Sequence, residues 1–275
     1  ETKKVKQPSH WIKNRFKNID SLYEKASKDR MKFWDEQAEQ LKWHKKWDKT
    51  LEWRSPNAKW FVNGTLNAAE NCIDAHLDQK KPAIIWESEL GSIRSLTYTE
   101  LHEKTNQFAN ALKHKIKIQK GDRVTIYMPM IPEAIIAMLA CSRIGAIHSV
   151  VFGGFSAPSL AERINDSDSA CIITAYSANR RGKTIPLRSI VDDALKSTKN
   201  IPIICFEKES NTKQGDYDFY DVMENESKIC PPEEMDSEDP LFILYTSGTT
   251  GKPKGIVHST GRVFNTCKIL HETCL

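Results

Sequence analysis

The sequence of 275 residues lacks any paired-cysteine motif. Its seven cysteines are odd in number, widely scattered, and never arranged as Cys-x-x-Cys. A disulfide framework would show an even set of cysteines, and a zinc site of the finger or ribbon type would show such pairs. The pattern therefore argues against a secreted disulfide scaffold and against a zinc site. It favours a reducing, cytoplasmic compartment.

Long apolar runs are also missing. The longest, at positions 131–151, is interrupted by Arg143, Gly145 and His148, which makes it too short and too polar to span a membrane. No secretory signal peptide is visible, and we expect no membrane partner. The chain begins with Glu1 rather than Met, which suggests that residues upstream have been removed or were never captured.

A strong charge of one sign is absent as well, since the net charge is only +4. The imbalance is local: positions 1–50 carry 14 Lys and Arg against 8 Asp and Glu, and positions 206–239 carry 12 acidic residues against 3 lysines. Charge runs of this kind are usually solvated surface. All seven tryptophans precede residue 87, but their irregular spacing and the acids among them indicate packing anchors. We expect no nucleic-acid partner.

Apolar strand patterns alternate with helix patterns from about residue 83 onward. The predicted strands are Ala83–Ser88, Arg123–Met128, Ala146–Phe152, Ala170–Thr174 and Pro202–Phe206. Helices are predicted after the capping box at Thr97, from Pro132 to Gly145, after Ser156, and over Pro186–Lys196. Such alternation predicts an open, doubly wound α/β sheet of mostly parallel strands. Ligands of such sheets bind at the carboxyl ends of the strands.

The residues before this region follow a different pattern. A long helix is predicted from Ser21 to about Trp47, an irregular aromatic stretch follows, and a second helix covers Ala68–Leu77. The acidic positions 207–239 read as a surface connection. His148 lies in a predicted buried strand and is interpreted as structural.

The stretch LYTSGTTGKPKG, at positions 244–255, carries the clearest functional signal. A buried strand leads directly into a loop of glycine, small hydroxyl residues and lysine. Backbone N–H groups, hydroxyl donors and positive charge in one flexible segment are the components of a polyphosphate cradle. The candidate phosphate-binding residues are Thr246, Ser247, Gly248, Thr249, Thr250, Gly251, Lys252 and Lys254.

A Walker A loop is the nearest alternative, and the sequence fails that pattern twice. Thr246 stands where the first glycine is required, and Pro253 follows Lys252 where Ser or Thr is required. The loop is therefore a phosphate loop of a different kind.

The stretch YTSGTTGKPKG resembles the signature phosphate loop of the adenylate-forming superfamily. Four further stretches narrow the resemblance to the acetyl-CoA synthetase family: KWFVNGTLNAAENCIDAH, VVFGGFSAPSLAERINDSDSACIITA, RRGKTIPL and MDSEDPLFILYTSG. The resemblance runs from about residue 18 to the last residue. It implies an N-terminal helical and aromatic extension at 1–78 and the first part of an AMP-binding domain at 79–275.

The resemblance also implies the reaction. Acetate attacks the α-phosphate of Mg·ATP to give acetyl-AMP and pyrophosphate, and the thiol of CoA then displaces AMP. The loop would hold the β- and γ-phosphates. The nucleotide end of CoA would lie at Arg180, Arg181, Gly182 and Lys183, and the path of CoA would be lined by Phe152, Gly153 and Gly154.

Lys183 stands where the family often has a second arginine, so it keeps the charge but loses the bidentate fork. ATP with Mg²⁺, acetate and CoA are the implied substrates, with no prosthetic group and no metal site in this chain.

The acetate pocket, the adenine and ribose contacts and the adenylation lysine are all expected beyond Leu275. We therefore interpret the chain as an N-terminal fragment that is inactive alone, and the catalytic residue stays unassigned. Two alternatives stay open: a propionyl-CoA or other short-chain acyl-CoA synthetase, and a catalytically inert nucleotide- or CoA-binding module.

Overall fold

The computed structural model describes residues 19–207, 216–246 and 252–263. The chain divides into two compact units. Of the described residues, the first comprises 19–66, 236–238 and 260–263, and the second comprises 67–207, 216–235, 239–246 and 252–259. Among the helices of the described ranges, none is long and apolar enough to cross a membrane.

Short elements build the first unit. They are helices α1 (Ile19–Lys28) and α2 (Arg30–Ala38) and strands β1 (Trp43–Lys45), β2 (Lys49–Arg54), β3 (Asn57–Val62) and β4 (Thr65–Leu66). The prediction of one long helix to Trp47 was wrong. Asp29 has an extended backbone and its side chain accepts the N–H of Lys32 at 3.0 Å, so it caps a new helix and breaks the run. The aromatic stretch, predicted as irregular, forms an antiparallel hairpin of β2 and β3.

Aromatic packing holds this unit together. The rings of Trp43, Trp47 and Phe61 lie 4.9–5.6 Å apart, and Trp34 meets Trp60 edge-on at 5.8 Å. Trp34, Trp43, Trp47 and Trp60 are therefore packing anchors, as predicted. The prediction was wrong for Trp53, which is 65% exposed.

The second unit contains the α/β sheet and its helices. Its helices are α3 (Ala68–Cys72), α4 (Tyr98–Ala111), α5 (Pro132–Arg143), α6 (Ala157–Asp166) and α7 (Leu187–Leu195), with a π-helical turn at Leu112–Ile116 and 3₁₀ turns at Asp74–His76 and Asp221–Met223. Its strands are β5 (Pro82–Glu87), β6 (Ile93–Thr97), β7 (Arg123–Tyr127), β8 (Ile147–Val150), β9 (Cys171–Ala175), β10 (Ala178–Arg180), β11 (Lys183–Ile185), β12 (Ile203–Phe206), β13 (Tyr217–Asp218), β15 (Pro240–Thr246) and β16 (Lys254–Ser259), while β14 (Met235–Asp236) bridges the two units in sequence. The helix predicted over Ala68–Leu77 is shorter, because it breaks at Ile73 into a 3₁₀ turn.

Seven strands form the central sheet in the order β13-β12-β9-β7-β8-β15-β16. The first six run parallel, and only β16 is antiparallel to its neighbour. The chain passes from β7 to β8 on one side and then crosses back to β9 on the other. Right-handed crossovers therefore place α5 on one face and α6 with α7 on the opposite face. This is the doubly wound architecture that the alternating pattern predicted.

Candidate functional site

The predicted site residues of the second unit follow strands whose carboxyl ends meet at one edge of the sheet. Phe152, Gly153 and Gly154 follow β8, the hairpin of β10 and β11 follows β9, and the candidate phosphate loop follows β15. Since β8 and β15 are parallel neighbours, with His148 opposite Phe242, the loop after β15 starts beside the loop after β8. This edge is where ligands of open α/β sheets bind.

The phosphate-loop candidate connects β15 to β16 rather than a strand to a helix. Thr246, the last residue of β15, pairs with Lys254, the first residue of β16. Thr246, Lys252 and Lys254 are exposed, whereas Ser247, Gly248, Thr249, Thr250 and Gly251 lie outside the described residues. A Walker A loop would lead into a helix N-terminus. Here the strand before the loop is followed by another strand, β16, so this motif supplies no helix N-terminus to an anion.

Tyr245 fixes the point at which this loop begins. Its hydroxyl donates a 2.6 Å hydrogen bond to the carboxylate of Asp166 at the end of α6. The guanidinium of Arg163 lies 5.4 Å from the ring of Tyr245. The same guanidinium lies 4.5 Å from the ring of Phe155. Arg163 is buried. One guanidinium therefore contacts both the segment after β8 and the strand before the phosphate loop.

The side chains of Phe152 and Arg180 stack at the same edge. The Cζ atom of Arg180 lies 4.7 Å from the ring centroid of Phe152, and both residues are exposed. A Cβ atom on Gly154 would lie 2.6 Å from the ring of Phe152 and 3.0 Å from Nη1 of Arg180. Glycine at this position is what allows the stack to form. A cation–π contact of this kind holds the guanidinium in one orientation and leaves its edge free to bind.

Arg180 and Lys183 are directly opposite each other in the β10–β11 hairpin. Cross-strand partners point to the same face, and like charges in this position destabilise the pair. Neither side chain forms an ion pair within the parts of the chain that the structure describes. Two opposed, exposed cations of this kind form a ready site for an anion such as phosphate.

The turn between these two cations consists of Arg181 and Gly182. Both residues have left-handed backbones, with φ of 53° and 71° respectively. A two-residue turn whose twist matches that of the flanking strands requires positive φ at both of its central residues. Glycine adopts such a backbone without strain.

His148 is structural, as predicted. It is buried in β8, its ring lies 5.5 Å from Phe242, and its Nδ1 has no hydrogen-bond partner among the described atoms. Burial lowers the pKa of His148 to about 4, so the ring is neutral near pH 7. His258 stacks on the other side of Phe242 at 4.6 Å, so it is a packed histidine next to the loop.

Two residues near this edge were missed from the sequence. Glu89 accepts the N–H of Arg181 at 2.8 Å, and Arg163 bridges two rings. Glu89 is 92 positions before its partner, and nothing in its local pattern marks it. Arg163 sits on a helix among other charged residues, where an arginine is usually solvated. The hairpin was not predicted either, because Arg-Gly is not among the residue pairs that typically mark a two-residue turn.

A parallel α/β sheet with a hydroxyl-, glycine- and lysine-rich sequence and two opposed cations at its carboxyl edge is typical of nucleotide- and phosphate-binding α/β proteins. Comparison with known families gives a narrower assignment. The AMP-binding enzyme family matches residues 74–274, and the acetyl-coenzyme A synthetase N-terminus family matches residues 19–72. The chain belongs to the AMP-binding enzyme family.

Individual relatives agree with this assignment. The chain is 47% identical over 265 residues to an acetyl-coenzyme A synthetase of Gemmatimonas aurantiaca, covering 91% of this chain and 40% of that protein. It is 50% identical over 249 residues to an acetyl-coenzyme A synthetase of Rubrobacter xylanophilus, covering 87% of this chain and 38% of that protein. The chain thus spans about 40% of the length of these relatives. The resemblance drawn from the sequence motifs is confirmed.

A solved structure shows the same fold. Acetoacetyl-CoA synthetase from Streptomyces lividans superposes with a TM-score of 0.81 at 26% identity, over 89% of this chain and 38% of that one. The prediction of an adenylate-forming α/β fold is therefore confirmed.

Proposed function

We propose that this chain is the N-terminal portion of a cytoplasmic, AMP-forming acetate–CoA ligase. The overall reaction would convert ATP, acetate and CoA to acetyl-CoA, AMP and pyrophosphate through acetyl-AMP. The observation that carries the proposal is the identity of 47–50% to acetyl-coenzyme A synthetases along nearly the whole chain. We also propose that residues 1–78 form an N-terminal extension and that residues 79–275 form the first part of the AMP-binding domain.

In the first step, the loop would act on the departing pyrophosphate. Acetate displaces pyrophosphate from the α-phosphate of ATP, so negative charge grows on the leaving group. Lys252, Lys254 and the hydroxyl and N–H groups of Thr246 to Gly251 would meet that charge, with Mg²⁺ arriving as part of the nucleotide. Donors that are already in place stabilise the transition state more than water that must reorient. The anchored start of the loop at Tyr245 supports this role.

In the second step, the hairpin cations would hold CoA. Arg180 and Lys183 are the residues proposed for its 3′-phosphate, with Arg181 and Gly182 in the turn between them. The stack of Arg180 on Phe152 supports a guanidinium oriented for one ligand group. Gly153 and Gly154 would leave room for the narrow pantetheine arm, whose thiol then attacks the carbonyl carbon of acetyl-AMP and expels AMP.

The test uses the full-length enzyme, meaning this chain continued to the length of its relatives. AMP formation is measured with acetate, propionate and acetoacetate as competing acids. We expect acetate to give the highest kcat/KM, and a preference for either of the other acids would overturn the assignment of the acyl group. The 275-residue chain alone should show no more acetate-dependent pyrophosphate exchange than a buffer control. The reason is that the adenylation lysine is expected outside these 275 residues.

A further inference from the structure

The side chain of Glu89 closes over the turn that separates Arg180 from Lys183. Glu89 lies in the connection between β5 and β6. Its Oε1 accepts the N–H of Arg181 at 2.8 Å, and its Oε2 lies 3.5 Å from the N–H of Gly182. One carboxylate thus faces two successive backbone donors of a segment far away in sequence.

The geometry of the turn explains why the carboxylate of Glu89 binds to its N–H groups. In a two-residue hairpin the N–H groups of both central residues point away from the ladder and have no partner inside the hairpin. Successive N–H groups on a left-handed backbone converge to form a small anion-binding concavity. A carboxylate is the natural occupant, and its charge strengthens both contacts. It also offsets the strain of a left-handed arginine at position 181.

Glu89 is itself held in place. The connection that carries it is closed by hydrogen bonds from the N–H of Gly91 and the N–H of Ser92 to the backbone carbonyl and hydroxyl of Ser88, both at 2.9 Å. A further 2.9 Å bond runs from the N–H of Ser88 to the carbonyl of Ser92. The carboxylate is therefore presented from an ordered turn, although the residue itself is exposed.

The hairpin needs such support. Its strands have three residues each, and an isolated two-stranded hairpin is marginally stable in water. The direct opposition of Arg180 and Lys183 weakens it further, because like charges face each other. The stack on Phe152 holds Arg180 from one side, and the carboxylate of Glu89 holds the turn.

We propose that Glu89 is a positioning residue for the CoA 3′-phosphate, fixing the turn so that Arg180 and Lys183 are held facing one anion. This inference rests on the proposed function. Glu89 does not touch the ligand; it lowers the cost of ordering two opposed cations before the ligand arrives. Its loss acts on the phosphate end of CoA alone.

The first measurement is amide hydrogen exchange of residues 178–185 in the 275-residue chain without ligand. Glu89→Ala should speed exchange across this hairpin. Glu89→Gln should speed it less, because it keeps one accepting oxygen and replaces the other with an NH2 group that cannot accept. Glu87→Ala is the matched control: this exposed glutamate is the last residue of β5, two positions before Glu89, and makes no side-chain hydrogen bond to the described residues. Unchanged exchange in Glu89→Ala would overturn the proposal whatever the chain binds.

The second measurement compares binding of CoA and dephospho-CoA to the same variants in the full-length enzyme. Glu89→Ala should weaken CoA binding by about tenfold with kcat unchanged, and dephospho-CoA binding should change less than about twofold. If Glu89→Ala weakened the binding of CoA and dephospho-CoA equally, the positioning role would be overturned. It would also be overturned if Glu89→Ala left CoA binding unchanged while Arg180→Ala weakened CoA binding more than dephospho-CoA binding. If Arg180→Ala showed no preference between the two ligands, the proposed CoA site would fall, and the exchange measurement would still decide whether Glu89 holds the turn.

Discussion

The hydroxyl of Tyr245 donates a 2.6 Å hydrogen bond to the carboxylate of Asp166. Tyr245 immediately precedes Thr246, so this bond ties the start of the candidate phosphate loop to helix α6. Burial, and then the bond to Asp166, raise the pKa of Tyr245 above its usual value, so the phenol remains a donor throughout the neutral range.

Removing this hydroxyl should destabilise the second unit. In Tyr245→Phe the carboxylate of Asp166 loses its donor, and we expect the free energy of unfolding to fall by about 1–2 kcal/mol. Urea unfolding of the 275-residue chain at pH 7.5 measures this change. Tyr217→Phe serves as the control, because Tyr217 is exposed at the edge of the sheet. Equal losses in both variants would show that the bond between Tyr245 and Asp166 contributes nothing specific.

Arg180→Ala should weaken CoA selectively in the full-length enzyme. The lost contact is charge-assisted and worth about 1.5–3 kcal/mol, so the KM for CoA should rise roughly ten- to a hundredfold. The KM for CoA of Arg180→Lys should lie between the values for the original enzyme and for Arg180→Ala, because lysine keeps the charge but loses the planar stack on Phe152. Dephospho-CoA is the control ligand and should be nearly indifferent. A similar rise in KM for both ligands would mean that Arg180 does not meet the 3′-phosphate.

Buried His148 should make the chain sensitive to acid. Its pKa is about 4 when folded and about 6.5 when unfolded, so the unfolded state takes up the proton first as the pH falls. The stabilisation present above pH 6.5 is lost progressively down to pH 4, and about 2 kcal/mol of it disappears between pH 7.5 and 5.

The variant His148→Phe keeps an aromatic ring beside Phe242 but cannot titrate. The difference in unfolding free energy between pH 7.5 and pH 5 should therefore be about 2 kcal/mol smaller in the variant than in the original chain. Urea unfolding at the two pH values measures it. An identical pH dependence would show that folding does not lower the pKa of His148.

The sheet and most of its strands were predictable from sequence because their signals are local. Buried parallel strands read as short apolar runs, and the helices between them carry caps and prolines, as at Thr97 and Pro132. The strand order was not predictable, since the crossing from β8 back to β9 depends on which faces pack. The helix predicted to Trp47 failed because Asp29 favours a new helix cap over continuation, and a charged residue in a charged run gives little warning.

The candidate site shows the same division. The phosphate loop and the Arg-Arg-Gly-Lys segment are continuous motifs and could be picked out directly. The arrangement around Arg180 could not be predicted, because it depends on contacts across the fold. Arg180 faces Lys183 and stacks on Phe152, and the turn between the two cations is held by Glu89. Glu89 belongs to no motif. Arg163 lies within the stretch VVFGGFSAPSLAERINDSDSACIITA, but nothing local marks its contacts with two rings, so only the structure identifies the roles of both residues.

The most direct test of the account separates the two half-reactions of the full-length enzyme in Lys252→Ala. Acetate-dependent pyrophosphate exchange reports acetyl-AMP formation, and acetyl-CoA formation from supplied acetyl-AMP reports the second step. If the loop grips departing pyrophosphate, the variant should lose roughly a hundredfold in the first rate and retain the second, while Lys80→Ala, at an exposed lysine elsewhere, should change neither. A normal first half-reaction in Lys252→Ala, or equal losses in both steps, would contradict the assignment of this loop to pyrophosphate.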